Sequence, residues 1–177
     1  MIEVTRIFLE MRDPSQLNRK PLPTSDAHVT RISPCTVAQY RDLYNRVGNK
    51  WHWRDRLLWP DERLAEQLAK PNVFVWELRV GRDLGGYFEL ELQSGGDVEI
   101  VYFGLTPEFF GKGWGGAMLT RATEEAFALG ATRVWLHTCT LDSPRALPNY
   151  KARGFIETGS IEKYVVQVDD LSPGATD

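Results

Sequence analysis

Apolar residues recur along the chain with two spacings, and each spacing predicts a different kind of element. In four segments they return every three or four positions, as Tyr40, Leu43, Tyr44 and Val47 do, which is typical of amphipathic helices. Elsewhere they alternate with polar residues or run together over a few positions, which is typical of strands. The predicted helices cover residues 33–48, 61–70, 118–130 and 143–154, and the predicted strands cover residues 2–10, 28–32, 73–80, 87–92, 98–105, 134–137, 155–160 and 161–168.

Turn and loop residues divide these elements into one main unit with additions at both ends. Glycine-containing turns at 81–86 and 94–97 join consecutive strands as hairpins, and a proline-containing loop fills residues 13–26. A chain of 177 residues is long enough for one domain with a core and too short for two ordinary ones. We therefore expect an N-terminal strand and loop extension at 1–28, one domain at 29–170 and a disordered tail at 171–177.

The composition is that of a soluble globular protein, and it narrows the classes of function. Hydrophobic residues make up 42% and charged residues 25%, with no run of Lys or Arg, so a nucleic-acid partner is not expected. No apolar run approaches the ~20 residues that span a bilayer, and Glu3, Arg6 and Glu10 interrupt the first apolar stretch. Neither a membrane span nor a signal peptide is expected, so the cytoplasm is the expected location. Two cysteines without CxxC spacing and the scattered His28 and His52 predict no disulfide framework and no metal site.

Four glycines lie within the six residues from Gly111 to Gly116, directly after a predicted strand and directly before a predicted helix. A helix start has unpaired backbone N–H groups and the positive end of the helix dipole, so an anion such as a pyrophosphate approaches a side-chain-free backbone there. Lys112 adds a positive charge. Because glycine also serves tight turns, the stretch alone leaves both interpretations open. No Gly-Lys-Ser/Thr follows, which excludes a P-loop, and antiparallel neighbours argue against a dinucleotide-binding fold.

Two spaced motifs resemble the signatures of the GNAT superfamily of N-acetyltransferases. Pro107, Gly111, Gly113 and Gly115 match the V-x-P-x-x-R-G-x-G-x-G run of that family without a gap. The segment from Ala146 to Phe155 has the pattern AxxxYxxxGF, which matches the second signature. Both motifs fall on the expected elements, so together they are much more specific than either alone. The resemblance covers residues 98–155 most closely, and weakly the chain from residue 28 onward.

The resemblance implies an α+β fold, an α/β sandwich in which a mixed, mostly antiparallel sheet of about seven strands is flanked by about four helices. It also implies transfer of an acetyl group from acetyl-CoA to an amine in a ternary complex, without a metal. The family pairs the pantetheine arm of the cofactor with the strand before the glycines, as an added strand. The residues implied for cofactor binding are Phe103, Gly104, Leu105, Gly111, Lys112, Gly113, Trp114, Gly115, Gly116 and Ser143.

Three residues depart from the family pattern. Phe110 stands where the family usually has Arg or Gln, so pyrophosphate binding is expected to rely on backbone N–H groups and Lys112. Ser143 replaces a common Asn at the start of the last helix, where it is also a good N-cap. Pro148 lies inside that predicted helix. Because a proline costs ~3 kcal/mol in a helix interior, a kink or a late helix start is expected.

Glu99 and Tyr150 are the candidate catalytic residues. An ammonium group must lose a proton before it attacks a thioester, and Glu99 is the candidate general base, directly or through water. Glu89 and Glu91, on one face of the preceding strand, are rivals, and a solvent-facing strand position is the alternative for Glu99 itself. The resemblance implies Tyr150 as the acid that protonates the leaving thiolate, and aromatic packing under the sheet is its alternative role.

Two alternatives to this chemistry stay open. Cys139 with His137 as its base, two residues apart on an extended segment, would form a covalent acyl-cysteine. Such a cysteine is more often a small core residue. At the level of function, the alternative is a non-catalytic domain that binds acyl-CoA or a protein partner, which the Phe110 replacement favours.

The amine acceptor stays open between a small amine, an amino acid, a peptide terminus and a lysine side chain. Trp51 and Trp53 lie in the region that borders the acceptor pocket in the family, and aromatic faces hold cations or planar groups. Packing beneath that loop is the alternative for both tryptophans. Glu89 is the acidic candidate for the same pocket. Similar proteins commonly dimerise through terminal strands, so a homodimer is one assembly that the resemblance allows.

Overall fold

A seven-stranded sheet forms the centre of the computed structural model, which describes residues 1–167. Every neighbouring pair of strands is antiparallel except β5 and β6, which are parallel. The strands follow the spatial order β2-β3-β4-β5-β6-β1-β7. The mixed, mostly antiparallel sheet is therefore confirmed. The strands are β1 (Ile2–Met11), β2 (Ala27–Ile32), β3 (Val73–Val80), β4 (Asp83–Leu92), β5 (Asp97–Leu105), β6 (Arg133–Cys139) and β7 (Ile156–Val166).

Four α-helices within the described residues cover the two faces of the sheet: α1 (Val37–Gly48), α2 (Asp61–Leu68), α3 (Trp114–Ala128) and α4 (Ala146–Arg153). Helices α1 and α2 pack on one face, where Tyr40 and Tyr87 are buried, and α3 and α4 pack on the other, where Phe88 and Met118 are buried. Tyr87 and Phe88 fall on opposite faces because strand side chains alternate. Within residues 1–167, each helix is too short or too polar to cross a bilayer.

The N-terminal strand lies inside the sheet, since β1 pairs with β6 on one side and with β7 on the other. Residues 1–28, expected as an addition to the domain, therefore supply one of its interior strands. The two strands predicted at 155–160 and 161–168 are one strand, β7, interrupted by a bulge between Glu157 and Ile161. Gly159 has a φ of +85° in this bulge, which is why the strand pattern breaks there. The last residue of that second prediction and the predicted tail, 171–177, lie outside the described residues.

The turn predicted at 81–86 is shorter than expected because Gly85 and Gly86 belong to β4. A Cβ on Gly86 would lie 2.4 Å from the carbonyl oxygen of Gly104 on the neighbouring strand, so only glycine permits this close approach. Gly85 and Gly86 therefore serve strand packing rather than a turn.

The helix predicted at 118–130 begins earlier, at Trp114, because its buried face already includes Trp114 and Ala117.

The segment between β1 and β2, residues 12–26, packs against α3 and α4 and is called the strap below. Leu17 is buried in the core cluster on that side of the sheet. The backbone N–H of Asn18 donates to the carbonyl of Arg153 over 2.9 Å. The backbone N–H of Lys20 donates to Oγ1 of Thr120 over 3.0 Å. The strap is therefore fixed to both helices.

Candidate functional site

A groove opens where β5 and β6 part. The two strands are paired only over residues 97–99 of β5, while β5 continues beside β4 as far as Leu105. Val101 is an extra residue in β5 relative to β4, and such a bulge bends a strand and increases its twist. The groove has a volume of about 1250 Å³. Within the described chain, it leaves residues 100–105 without a strand partner on the side that faces β6.

The glycine stretch lies at one end of this groove and forms the start of α3. Gly113 precedes the helix with a φ of +87°, and Gly111 has a φ of +71°, a backbone region that favours glycine. Gly111, Gly113, Gly115 and Gly116 all line the groove. The unpaired N–H groups of the first helical turn are therefore suited to bind an anion, since Gly113, Gly115 and Gly116 place no side chain of their own in front of them.

Three basic side chains, those of Lys20, Arg145 and Arg153, lie against these glycines and line the groove. Their cationic nitrogens lie 2.5–3.2 Å from the positions that Cβ atoms on the glycines would occupy. None of the three forms an ion pair with a carboxylate in the part of the chain that the structure describes. Nε of Arg153 is buried and has no hydrogen-bond partner among residues 1–167. A cationic cluster with unused donors suits phosphate groups.

Sequence patterns indicate only part of this cluster. Arg145 directly precedes the second family motif and Arg153 lies within it, so basic residues at the two ends of that helix are a sequence signal for them. Lys20 carries no such signal, because it is remote in sequence and reaches the glycines through the strap.

Lys112 and Trp114, both expected at the cofactor, lie outside the groove. Nζ of Lys112 donates to the carbonyl oxygen of Glu108 over 2.8 Å, and the side chain is exposed. The Trp114 ring is buried and packs against Phe109 with ring centroids 5.4 Å apart. The contact with Glu108 holds the Lys112 side chain away from the glycine backbone, and packing in the core does the same for Trp114.

The other residues expected at the cofactor line the groove: Phe103, Gly104, Leu105 and Ser143. The missing side chain of Gly104 makes room for α1 rather than for a ligand. A Cβ there would lie 2.5 Å from Cγ1 of Val47 and 3.5 Å from Cη2 of Trp53. Close packing of the helix on the sheet therefore requires this glycine.

Helix α4 begins at Ala146, so the late start expected from Pro148 is confirmed. Pro148 falls in the first turn, where backbone N–H groups have no intrahelical acceptor and a missing N–H costs little. Ser143 is not the N-cap, because a turn separates it from the helix. Its Oγ accepts a hydrogen bond from the backbone N–H of Arg145 over 3.3 Å.

Tyr150 lies in the groove with its ring against Phe103 and Phe155. Burial raises the pKa of its phenol above the ordinary value, and Asp142 adds to the effect. The hydroxyl donates to no residue that the structure describes. The phenol is therefore protonated at physiological pH and available as a donor to a bound molecule.

Glu99 lies at the point where the two strands separate, as the last β5 residue paired with β6. Its side chain is half-buried and accepts a hydrogen bond from Nε2 of Gln93 over 2.9 Å. Burial, together with the nearby charge of Glu91, raises the pKa of Glu99 to about 7. The next residue, Ile100, lines the groove, whereas Glu99 itself is set behind the lining.

Glu89, the acidic candidate for the acceptor pocket, is fully buried and does not line the groove. Nη2 of Arg56 donates to one of its oxygens over 3.0 Å, and the hydroxyl of Tyr40 donates to the other. Burial raises the pKa of Glu89, while Arg56 and Tyr40 act in the opposite direction. The structure therefore places Glu89 behind the wall of the groove, as an anchor for residue 56.

An aromatic wall lines the groove on the side of α1. Tyr44, Trp53 and Tyr102 form it, with ring centroids 5.1–5.6 Å apart. Trp51 also lines the groove and packs against Phe110 with ring centroids 5.9 Å apart. Both predicted tryptophans are thus in the groove, but Phe110 lies with Trp51 rather than against the glycine backbone.

Cys139 and His137 line the groove from β6. Burial raises the pKa of the Cys139 thiol and lowers the pKa of His137. A thiol with a raised pKa is mostly protonated at neutral pH, which makes it a weak nucleophile. The covalent acyl-cysteine alternative is therefore disfavoured.

The model of the Acetyltransferase (GNAT) family matches residues 40–155, which is more than half of the chain. The chain belongs to the GNAT acetyltransferase family. The matched segment contains the glycine stretch, Glu99 and Tyr150, and leaves out β1 and the strap. No curated protein matches the chain.

Solved structures of GNAT proteins share this fold at low sequence identity. A GCN5-related N-acetyltransferase from Kribbella flavida is 16% identical with a TM-score of 0.67, over 94% of this chain and 61% of that one. A spermidine N-acetyltransferase from Vibrio cholerae, in complex with CoA and spermine, is 21% identical with a TM-score of 0.61, over 77% of this chain and 84% of that one. An aminoglycoside acetyltransferase from an uncultured soil metagenomic sample is 15% identical with a TM-score of 0.61, over 80% of this chain and 93% of that one. The chain thus spans less than two thirds of the Kribbella protein.

The GNAT family uses acetyl-CoA, and the groove of this member fits the chemistry of that co-substrate. The glycine backbone and the three basic side chains suit its phosphates, and the unpaired edge of β5 suits the amides of its pantetheine arm. Among residues 1–167, no group of three His, Cys, Asp or Glu side chains is arranged to hold a metal ion.

Proposed function

We propose that this GNAT protein transfers an acetyl group from acetyl-CoA to a primary amine in a ternary complex. The observation that carries the proposal is the groove between β5 and β6, with the anion site at one end and Tyr150 in its lining. Family membership supports the reaction class.

Binding of acetyl-CoA would use both ends of the groove. Backbone N–H groups at the start of α3, with Arg145 and Arg153, would hold the diphosphate. The free edge of residues 100–105 would pair with the pantetheine amides as an added strand. A backbone N–H on that edge would also face the thioester oxygen and stabilise its developing charge.

Acetyl transfer requires that one proton is removed from the acceptor ammonium and that one proton is supplied to the leaving thiolate. Glu99, with its pKa raised to about 7, is suited to accept the proton of the acceptor ammonium through a water molecule, since its side chain lies behind the groove lining. The amine nitrogen then forms a bond to the carbonyl carbon, and the carbon–sulfur bond breaks. Tyr150, protonated and without a hydrogen bond to the described residues, supplies a proton to the leaving thiolate.

We further propose that the acceptor carries a single amine on an aromatic or apolar body. Of the acidic side chains that the structure describes, only Asp55 and Asp142 line the groove, and Asp142 already accepts hydrogen bonds from Thr138 and Cys139. A polycationic acceptor would find few carboxylates there and would face several basic side chains. The aromatic wall instead offers faces to a planar or apolar group.

The test is acetyl-CoA-dependent thiol release with tyramine, an amino acid, a short peptide, spermidine and an aminoglycoside as acceptors, with mass spectrometry of the products. We expect acetylated tyramine and little product from spermidine. Turnover with spermidine or the aminoglycoside alone would refute the acceptor proposal and leave the transferase standing. Binding of acetyl-CoA without product from any amine would refute the transferase and favour a non-catalytic acyl-CoA-binding domain.

Replacement of Tyr150 by Phe tests the proposed acid. Because the phenol hydroxyl has no partner among the described residues, we expect unchanged thermal stability and unchanged KM for acetyl-CoA. We expect kcat to fall by about 100-fold, the lower range for loss of a general acid. Steady-state kinetics with the best acceptor gives both constants. Normal kcat in Tyr150→Phe would remove this role and leave the ring as a packing residue.

A further inference from the structure

The strap brings a lysine to the anion site from a part of the chain that the GNAT match does not include. Nζ of Lys20 lies 3.2 Å from the Cβ position of Gly113, and its Cδ lies 2.9 Å from that of Gly116. The ammonium group therefore lies over the first turn of α3, where the backbone N–H groups are unpaired. Lys20 lines the groove, and no carboxylate among residues 1–167 pairs with it.

The placement of Lys20 is fixed by contacts on both sides of it. Its own N–H donates to Oγ1 of Thr120 over 3.0 Å. The preceding Arg19 pairs through Nε with Glu124 of α3 over 3.1 Å, and the Asn18 amide donates to the carbonyl of Ala152 over 3.0 Å. The backbone at residue 20 is thus held against both helices, and only its side chain is directed to the glycines.

We propose that Lys20 is a cofactor-binding residue that contacts the diphosphate of CoA, and that the strap is part of the cofactor site. The proposal rests on the proposed function, because it presumes that acyl-CoA occupies the groove. It also accounts for a departure from the family pattern. Phe110 has no hydrogen-bond donor where the family has Arg or Gln, and Lys20 supplies a cationic donor beside the same glycines.

The experiment measures binding of CoA, dephospho-CoA and pantetheine by titration calorimetry to the full chain and to three variants. Lys20→Met removes the charge and keeps much of the side-chain volume, and Lys20→Arg keeps the charge. Lys112→Met is the matched control, since it removes a nearby lysine that donates to Glu108 outside the groove.

We expect Lys20→Met to weaken the binding of CoA and of dephospho-CoA by about tenfold each. The binding of pantetheine should be unaffected, because pantetheine lacks phosphate. Lys20→Arg should restore most of the affinity, and Lys112→Met should change it by less than about twofold. The difference between wild type and Lys20→Met should shrink when salt is raised from about 50 mM to about 500 mM, since ions screen exposed charges.

Three results would overturn the proposal. The first is that Lys20→Met and Lys112→Met bind CoA with equal affinity. The second is that Lys20→Met loses affinity for CoA but not for dephospho-CoA. The third is that Lys20→Met loses as much affinity for pantetheine as for CoA. The second would place Lys20 at the 3′-phosphate, and the third would mean a general change in the groove. Failure of the wild-type chain to bind CoA at all would instead refute the proposed function itself.

Discussion

The raised pKa of Glu99 results mainly from its partial burial, with a smaller effect from Glu91 on the neighbouring strand β4. Partial burial disfavours its charged form, and Glu91, its register partner on β4, adds a like charge. The hydrogen bond from Gln93 acts in the opposite direction but does not cancel these effects. A carboxylate that titrates near neutrality is suited to general-base work at physiological pH.

The pH dependence of acetyl transfer tests this assignment. We expect kcat/KM to fall as the pH drops below an apparent pKa of about 7, because Glu99 must be ionised to accept a proton. Glu99→Gln should abolish this acidic limb of the pH profile and lower kcat by about 100-fold. Glu91→Gln is the control. It should retain activity and move the limb to lower pH, because it removes a like charge. An unchanged limb in Glu99→Gln would assign the titration to another group.

The same pKa predicts an effect on stability of opposite sign to the effect on activity. The pKa of Glu99 is raised on folding, so its favourable contribution is present below the ordinary glutamate pKa and is lost as pH rises through about 7. Thermal midpoints should therefore show Glu99→Gln stabilised relative to wild type at pH ~8 more than at pH ~5. Equal differences at the two pH values would contradict a raised pKa.

At the level of elements, the segment between α1 and α2 is held on the sheet by Arg56. Its guanidinium is buried, pairs with Glu89, and stacks on Trp59 with Cζ 4.2 Å from the ring centroid. Nη1 of Arg56 is buried without a hydrogen-bond partner among the described residues, so the pairing is incomplete. The pair fixes the position of the loop that presents Trp53 to the groove. Its net contribution to the free energy of unfolding is small, because burial of two charges costs desolvation energy.

Removal of one partner of this pair should cost more than removal of both. Arg56→Met leaves the Glu89 carboxylate buried and uncompensated, and we expect a loss of about 3–5 kcal/mol in the free energy of unfolding. Arg56→Met combined with Glu89→Leu should recover much of that loss. Arg121→Met, which breaks exposed pairs with Glu124 and Glu125 on α3, is the control and should cost under ~1 kcal/mol. Urea denaturation measures all three, and a double variant less stable than Arg56→Met would contradict the argument.

At the level of the whole molecule, the groove divides the sheet into two parts joined by little backbone pairing. Strands β2 to β5 lie on one side and β6, β1 and β7 on the other, and β5 meets β6 only over residues 97–99. Arg133 reinforces this junction, with Nη2 2.6 Å from Asp97 on β5 and Nη1 3.1 Å from Glu10 on β1. A ligand seated in the groove would contact both parts.

Hydrogen exchange with and without acetyl-CoA tests that arrangement. We expect new protection in residues 100–105 and 111–116, because their unpaired N–H groups would gain acceptors on the ligand. The strap should also gain protection, because the ligand would hold the Lys20 side chain. Strands β2 and β3 should be unchanged. At a ligand concentration of about 100 times Kd, the folded state should gain about 2.7 kcal/mol, visible as a higher thermal midpoint. Protection spread evenly over the sheet would argue against a bridging site.

The sequence by itself determined the family, the fold class, the four helices and most of the strands. It did so because helical and strand periodicities are local and because the glycine motif and the Tyr150 motif are short and contiguous. Glu99 and the two tryptophans were also accessible to it as residue types. The ionisation of Glu99 and the surroundings of all three residues were not accessible from the sequence.

Only the tertiary structure decided which side chains meet in the groove. Lys20 and Arg6 reach it because β1 lies inside the sheet and the strap crosses α3 and α4, which no local pattern indicates. Lys112, adjacent to the glycines in sequence, lies outside the groove because the turn into α3 directs it elsewhere. Glu89 resembled a site residue, and its burial against Arg56 depends on a loop from another part of the chain. Cross-strand register and packing are set by long-range contacts, so the chemistry of the site follows from them.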